Sequence, residues 1–305
     1  MKHLSKLIKD SGIFDFYIDN FDLDDDIELD GISQYSAILA SFIDFKAIPV
    51  LALDRHATHN ISAFNYLEVI GGCVAIRLQP EDIESYSITK GKLTSIWNKL
   101  TEIGTDGVHL IIDLRYIDEA TVNASALKIV NFLKKFTIDF SVEEIITTGS
   151  TIPAIIGNLI PTDTSVNVAR REFAMWKQVT TASNLNTVLF GDYGVVSPDY
   201  ADIDLDPRLF RRISTPKAFY PYGQMLFAVR GISFQAHPAG NGQYFLIADS
   251  IEQQIFFRGK PYSYGDQYIF ERSSKSSKKP EKAGSAGSWV KATLTRYITF
   301  VSNQV

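Results

Sequence analysis

Short apolar runs rich in β-branched and aromatic residues alternate, over the first two thirds of the chain, with longer stretches whose apolar positions recur every three or four residues. The runs cover residues 13–18, 48–53, 73–78, 108–114, 144–148 and 187–190, each bounded by polar residues or glycine. They predict buried strands. The stretches between them carry Tyr35, Ile38, Leu39 and Phe42, then Leu93, Ile96, Trp97 and Leu100, then Leu127, Val130, Phe132 and Leu133 at helical spacing. These predict crossover helices. Strands that are apolar throughout are buried on both faces, which argues for a parallel sheet covered by helices.

One strand recurs about every 30 residues, a period shared by the open doubly wound sheet and the (β/α) barrel. No glycine-rich phosphate fingerprint follows a strand, while nearly every strand closes on a polar residue: Asp19, Asp54, Arg77, Asp113, Ser150 and Asp192. A ring of polar strand ends favours a TIM-barrel-like α/β fold, because barrel strands converge their carboxyl ends on one mouth. After about residue 195 the alternation breaks down and tyrosine, phenylalanine and glycine increase. The expected organisation is therefore a barrel portion at 1–195 and a C-terminal α+β extension at 196–305 packed on it. Within the extension, 224–231 reads as a strand and 243–254 as a helix. Residues 272–288 contain no large apolar side chain and read as a flexible loop. Residues 289–301 alternate, with Val290, Ala292, Leu294, Ile298 and Phe300 on one face, and read as a last strand.

The 305 residues are 45% hydrophobic and 21% charged, ordinary globular usage that excludes wholesale disorder and fibrous repeats. No run approaches the roughly 18 apolar residues of a spanning helix, and residues 1–14 lack the apolar core of a secretory signal. The net charge of −5 gives no global pull toward nucleic acid or anionic lipid. The one cysteine, Cys73, excludes an internal disulfide and a multi-thiolate zinc site, so a soluble cytoplasmic protein is expected, with no membrane association. Two local charge runs stand out: seven acids at 19–30, and a basic stretch at 272–282 that offers a weakly supported nucleic-acid contact.

Candidate chemistry centres on the strand ends. Asp113 and Asp192 are the candidate acid, base or catalytic carboxylates, and Arg77, with Asp19, Asp54, Ser150 and Tyr193, forms a candidate ligand-binding set. The competing reading makes the acids helix caps and has Arg77 neutralise Asp113. His56 and His59 have a spacing compatible with one metal but supply too few ligands, so no metal is expected. His109, inside an apolar strand, reads as a hydrogen-bonded core histidine, and His237 lies in a loop. Thr148-Gly149-Ser150-Thr151 lacks the second glycine of a hydrolase elbow, which leaves Ser150 as a cap or anion-binding turn. Gly191-Asp192-Tyr193-Gly194 is built for unusual backbone conformations. Arg170, Arg171 and Glu172 read either as a phosphate grip or as a surface ion-pair cluster.

A set of ordered segments carries a resemblance: AIRL at 75–78, HLIIDL at 109–114, ITTGSTIP at 146–153, REFAMW at 171–176, FGDYG at 190–194 and VRG at 229–231, followed by Gln243-Tyr244 and the Trp289 segment. Their order and spacing over about 14–301 resemble the Beta protein family of prophages and phage satellites. The resemblance implies a (β/α) barrel without established enzymatic chemistry or cofactor. It also implies a place in anti-phage cassettes typified by Gop, Beta and Cll, in which Beta restrains a toxic neighbour. Arg230, in the VRG segment, joins the ligand-binding set. The resemblance also implies two further strands before the first one here, so the barrel is expected to be incomplete at its N-terminus: open, completed by later strands, or completed by another chain. Near the end, where the family typically has a pair of histidines, this sequence has Arg296 and Tyr297.

The expected function is an antitoxin-like or regulatory component of an anti-phage defence cassette. Its expected partner is a cassette or phage protein, with a homo-oligomer as a further possibility. The alternative is a barrel hydrolase or nucleotide-processing enzyme with its charged site at the strand ends.

Overall fold

The computed structural model describes residues 15–24, 26–183, 188–199, 210–278 and 280–304. In chain order the elements are β1 (Tyr17–Ile18), β2 (Glu28–Leu29), β3 (Ile32–Ser33), α1 (Gln34–Ala40), β4 (Ile48–Ala52), α2 (Ala57–Ile70), β5 (Cys73–Leu78), α3 (Tyr86–Ile103), β6 (Gly107–Tyr116), α4 (Val122–Asp139), β7 (Glu144–Ser150), β8 (Thr164–Ala169), α5 (Arg171–Ser183), β9 (Val188–Phe190), β10 (Lys217–Tyr222), β11 (Met225–Arg230), α6 (Gln243–Glu252), α7 (Tyr264–Arg272) and α8 (Ala286–Val301). A helical turn at Phe210–Ile213 precedes β10. The chain forms two compact units. One comprises Met1–Leu114, Asn123–Thr148 and Met175–Gly191; the other comprises Arg115–Val122, Gly149–Ala174 and Asp192–Val305.

The first unit is built on a six-stranded parallel sheet in the order β1-β4-β5-β6-β7-β9, giving a mixed α/β fold. The register sets Tyr17 beside Ile48, Val50 beside Ala75, Cys73 beside Gly107 and Ile145 beside Val188. Val50, Leu51, Val74, Ala75, Ile76, Leu110 and Ile112 are buried without regard to strand face. That burial of both faces is why these strands are continuously apolar rather than alternating. Helices cover them through Leu39, Leu67, Leu93, Leu100, Ile129, Leu133 and Phe136. Leu127, expected on the buried face of α4, is exposed.

Local signals bound these helices. Ser33 caps α1 by accepting from the Ser36 N–H, and Gly104, at φ 76°, ends α3 in the left-handed conformation that glycine adopts most cheaply. His56 is the N-cap of α2, accepting from the Thr58 N–H. His59 turns inward instead, stacking on Tyr35 at 4.3 Å with its Nε2 2.9 Å from the Val50 carbonyl oxygen. The two histidines thus serve a helix end and the core. Of the first expected strand only Tyr17–Ile18 forms among the described residues; Ile13, Phe14 and Thr187 lie outside them.

The second unit holds an antiparallel sheet ordered β10-β11-β8, with β10 and β11 joined by a hairpin at Gly223, φ 50°. Tyr220, Phe227, Tyr244, Ile247, Trp289 and Ala292 form its core. Residues 289–301, expected as a strand, instead belong to helix α8. The alternation there was coincidental: Val290 and Ile298 are exposed, while Trp289, Ala292, Thr293, Arg296 and Tyr297 make the buried stripe at helical spacing. Ser285 and Ser288 form a reciprocal capping box that starts this helix.

The loop expected at 272–288 begins and ends inside helices. Arg272 stacks on the Tyr268 ring at 3.4 Å and donates from Nε to the Ala283 carbonyl. The Trp289 indole donates to the same oxygen at 2.9 Å, and Ala283 is buried. Lys279 lies outside the described residues.

Candidate functional site

In the first unit, Arg77 lies inside β5 and Asp113 inside β6 rather than at their ends. Arg77 pairs with Ile111, so Asp113, two residues further on, projects from the same face of the sheet. The Arg77 guanidinium reaches Asp113 Oδ2 at 2.6 Å through Nη2 and Asp19 Oδ2 at 2.7 Å through Nη1. Phe21 covers it at 3.8 Å. Asp113 is 1% exposed. With Asp113 on one guanidinium nitrogen and Asp19 on the other, an incoming anion would have to displace Asp19 to reach Arg77. Asp54 stands apart on the exposed bend after β4. Its charge, after burial, contributes to pushing the Asp82 carboxyl up.

The second unit gathers Asp192 with Arg170 and Glu172, which the sequence leaves as either a phosphate grip or a surface ion-pair cluster. Arg170 is wholly buried rather than superficial. Its Nε donates to Glu172 Oε1 at 3.3 Å and its Nη2 to Tyr297 Oη at 2.9 Å, with Asp192 Oδ2 at 3.8 Å. Tyr297 donates to Asp192 Oδ2 at 2.7 Å, and Thr151 donates to Glu172 Oε2. The rings of Phe173, Tyr297 and Phe300 surround the guanidinium. Burial pushes the carboxyls of Glu172 and Asp192 up against the opposing pull of Arg170 and their hydroxyl donors. Burial likewise raises the Tyr297 phenol.

Gly194, at φ 62°, donates its N–H to Asp192 Oδ1 at 2.8 Å, so the Gly191–Gly194 segment orients that acid. Tyr193 follows it, partly buried. Ser150 Oγ accepts from the Ile152 N–H at 3.0 Å and donates to the Val196 carbonyl at 3.3 Å, a turn-stabilising role.

Arg230, at the end of β11, borders a cavity of about 250 Å³ in the second unit together with Asp163, Ser165, His237, Gln243 and Leu246. Its Nε donates to Thr215 Oγ1 at 3.0 Å and its Nη1 to the Ile160 carbonyl at 2.8 Å. Burial lowers its proton affinity. Gln243 clamps the chain after β11, accepting from the Ile232 N–H and donating to the Ile232 carbonyl. The strand-end residues are thus distributed among separate clusters, each described within its own unit.

One grouping escaped the sequence reading. Cys73, His109 and Glu143 bring a thiol sulfur, an imidazole nitrogen and a carboxylate oxygen within 4.8 Å of one another, the metal-ligand type of grouping present among the described residues. Burial and the neighbouring carboxylates of Glu143 and Asp106 push the Cys73 thiol up. All three residues stand at strand beginnings, opposite the carboxyl ends where the sequence places its polar residues.

Among the described residues no helix is long and apolar enough to cross a membrane. No curated protein and no solved structure matches the chain. A family model described as Beta protein matches residues 3–303, nearly the whole chain, so the chain belongs to that family.

Proposed function

We propose, with membership of the Beta protein family as the premise, that this chain is the restraining partner in an anti-phage cassette: a cytoplasmic protein that binds a toxic neighbour and holds it inactive. The observation that carries the reading is the family match over residues 3–303. In this reading the six parallel strands are part of a TIM-barrel-like barrel that serves as a scaffold. The pairing of Arg77 with Asp19 and Asp113, and of Arg170 with Glu172, supports a structural use of those charges.

A contact surface fits the same reading. Around the β2–β3 hairpin, Leu23, Ile27, Leu29 and Ile32 are exposed, interleaved with Asp22, Asp24, Asp26, Glu28 and Asp30. An apolar patch rimmed with acids suits a basic, partly apolar protein surface.

The test is expression of the toxic neighbour with and without this chain. Restored growth and co-purification of the two proteins are expected, with recovery reduced by Leu29→Ser combined with Ile32→Ser. Undiminished toxicity together with failure to co-purify overturns the proposal.

A further inference from the structure

We propose that Cys73, His109 and Glu143 form a zinc-class divalent cation site at the amino ends of β5, β6 and β7, a site independent of the restraining function proposed above. The parallel register pairs Cys73 with Gly107 and Ala75 with His109. Positions two apart on a strand share a face, so Cys73 and His109 project from the same side of neighbouring strands. Glu143 is brought to them by its backbone, whose N–H donates to the Val108 carbonyl at 2.9 Å.

Gly107 opens the space that the carboxylate occupies. A Cβ at that position would fall 2.3 Å from Glu143 Cδ, inside any tolerable contact. Any other residue would expel the carboxylate from its place beside the thiol and imidazole.

The three donor atoms lie within 4.8 Å of one another, so a small closing movement brings them to a metal's spacing. Ligand atoms about 2.0–2.3 Å from a tetrahedral zinc lie roughly 3.3–3.6 Å from one another. Here Glu143 Oε2 is 3.5 Å from His109 Nε2 and 3.8 Å from Cys73 Sγ. A soft thiolate, an imidazole and one carboxylate select a zinc-like ion over magnesium or calcium, which take oxygen donors. Three protein donors leave a fourth position to water, and the Glu143 side chain is 57% exposed, which gives the ion an entry path.

The remaining imidazole nitrogen is also provided for. Tyr17 Oη lies 2.7 Å from His109 Nδ1 and donates its proton to Glu144 Oε2 at 3.2 Å. In the proposed site Nδ1 carries the ring proton, facing the phenol oxygen and, at 3.5 Å, Glu144 Oε2, the tautomer that presents a lone pair on Nε2. Metal-binding histidines are oriented by this kind of carboxylate-linked chain.

The test uses the metal-free full-length chain, titrated with Zn²⁺ by calorimetry and with Co²⁺ by absorption. One ion per chain is expected, with a thiolate-to-cobalt charge-transfer band. Cys73→Ser should abolish the band, and Glu143→Gln, a substitution at an exposed side chain, should weaken Zn²⁺ binding by about 10-fold or more. Tyr17→Phe should weaken it by about 10–100-fold, the range for loss of an orienting partner. Circular dichroism checks that each variant is folded. Absence of binding by the wild-type chain, or binding that Cys73→Ser and Glu143→Gln both leave unchanged, overturns the proposal.

Discussion

Arg296 Nε lies 3.0 Å from Asp266 Oδ2, and neither side chain meets solvent. The pair joins α8 to α7, and Asp266 Oδ1 also accepts from the Tyr220 hydroxyl at 2.7 Å. The next residue on α8, Tyr297, addresses a different acid, Asp192. The two positions where the family resemblance leads one to expect histidines are therefore occupied by groups that tie α8 to two separate carboxylates, one buried and one partly buried.

Breaking that ion pair from one side leaves an uncompensated buried charge. Arg296→Met should destabilise the fold by about 3–5 kcal/mol, measured by urea unfolding. Combining it with Asp266→Leu should recover part of the loss. A single variant that unfolds at the wild-type urea concentration would show that the pair contributes nothing to stability.

The carboxyls of Asp192 and Glu172 are held above their ordinary range chiefly by burial. A raised acid binds more protons folded than unfolded, so its contribution to stability falls as pH rises through the interval between the two values. The stability of wild type relative to Asp192→Asn should therefore be highest in acid and decline as pH rises above about 4. Melting temperatures of the two proteins from pH 4 to pH 8 check the sign, and a difference that grows with pH would reverse it.

At the Arg77 triad the two acids differ in burial, with side-chain exposures of 2% for Asp113 and 19% for Asp19. Asp113→Ala should cost about 3–5 kcal/mol, and Asp19→Ala distinctly less because water can solvate the change. Chemical denaturation of both variants gives the comparison. Arg77→Met combined with Asp113→Leu, if folded and equally abundant, should retain protection in phage plating; loss of protection would move the enzyme reading ahead.

Two glycines near the α7–α8 contact should respond oppositely to alanine. A Cβ on Gly265 would sit 2.1 Å from the Ala292 carbonyl oxygen, whereas one on Gly287 meets nothing within 4 Å. Gly265→Ala should force the helices apart at a cost of about 1–3 kcal/mol. Gly287→Ala, in the first turn of α8, should stabilise by about 0.4–1 kcal/mol through the unfolded chain. Thermal melts of the two variants should straddle the wild type.

The strands of the first unit were legible because burial on both faces leaves a pattern that needs no partner to interpret: 73–78 was bounded as observed, and β4, β6 and β7 were displaced by only a few residues. Strand β8 was missed because Thr164, Ser165, Asn167 and Ala169 are exposed, so the segment carries little apolar signal. The last helix was misread because Val290, Leu294 and Ile298 are apolar while polar Thr293 and charged Arg296 face inward.

At the candidate sites, the pairing of Arg77 with Asp113 was readable as the competing interpretation of a charge inside an apolar strand. The inward turn of Arg170 was not, since the Arg-Arg-Glu run does not show which side chain will be enclosed by Phe173, Tyr297 and Phe300. Glu143 gave no signal, because its approach to Cys73 and His109 depends on strand register and on the missing side chain of Gly107.

Among the described residues the parallel sheet ends on β1, two residues long, and β9, three residues long. The Trp176 indole donates to the Val188 carbonyl at 2.8 Å, consuming an acceptor on the terminal strand. That indole covers a backbone acceptor on which a stray chain would otherwise template itself. A Trp176→Phe protein, with the indole donor removed, should therefore add a stray strand at this edge faster than wild type, which thioflavin fluorescence during incubation measures.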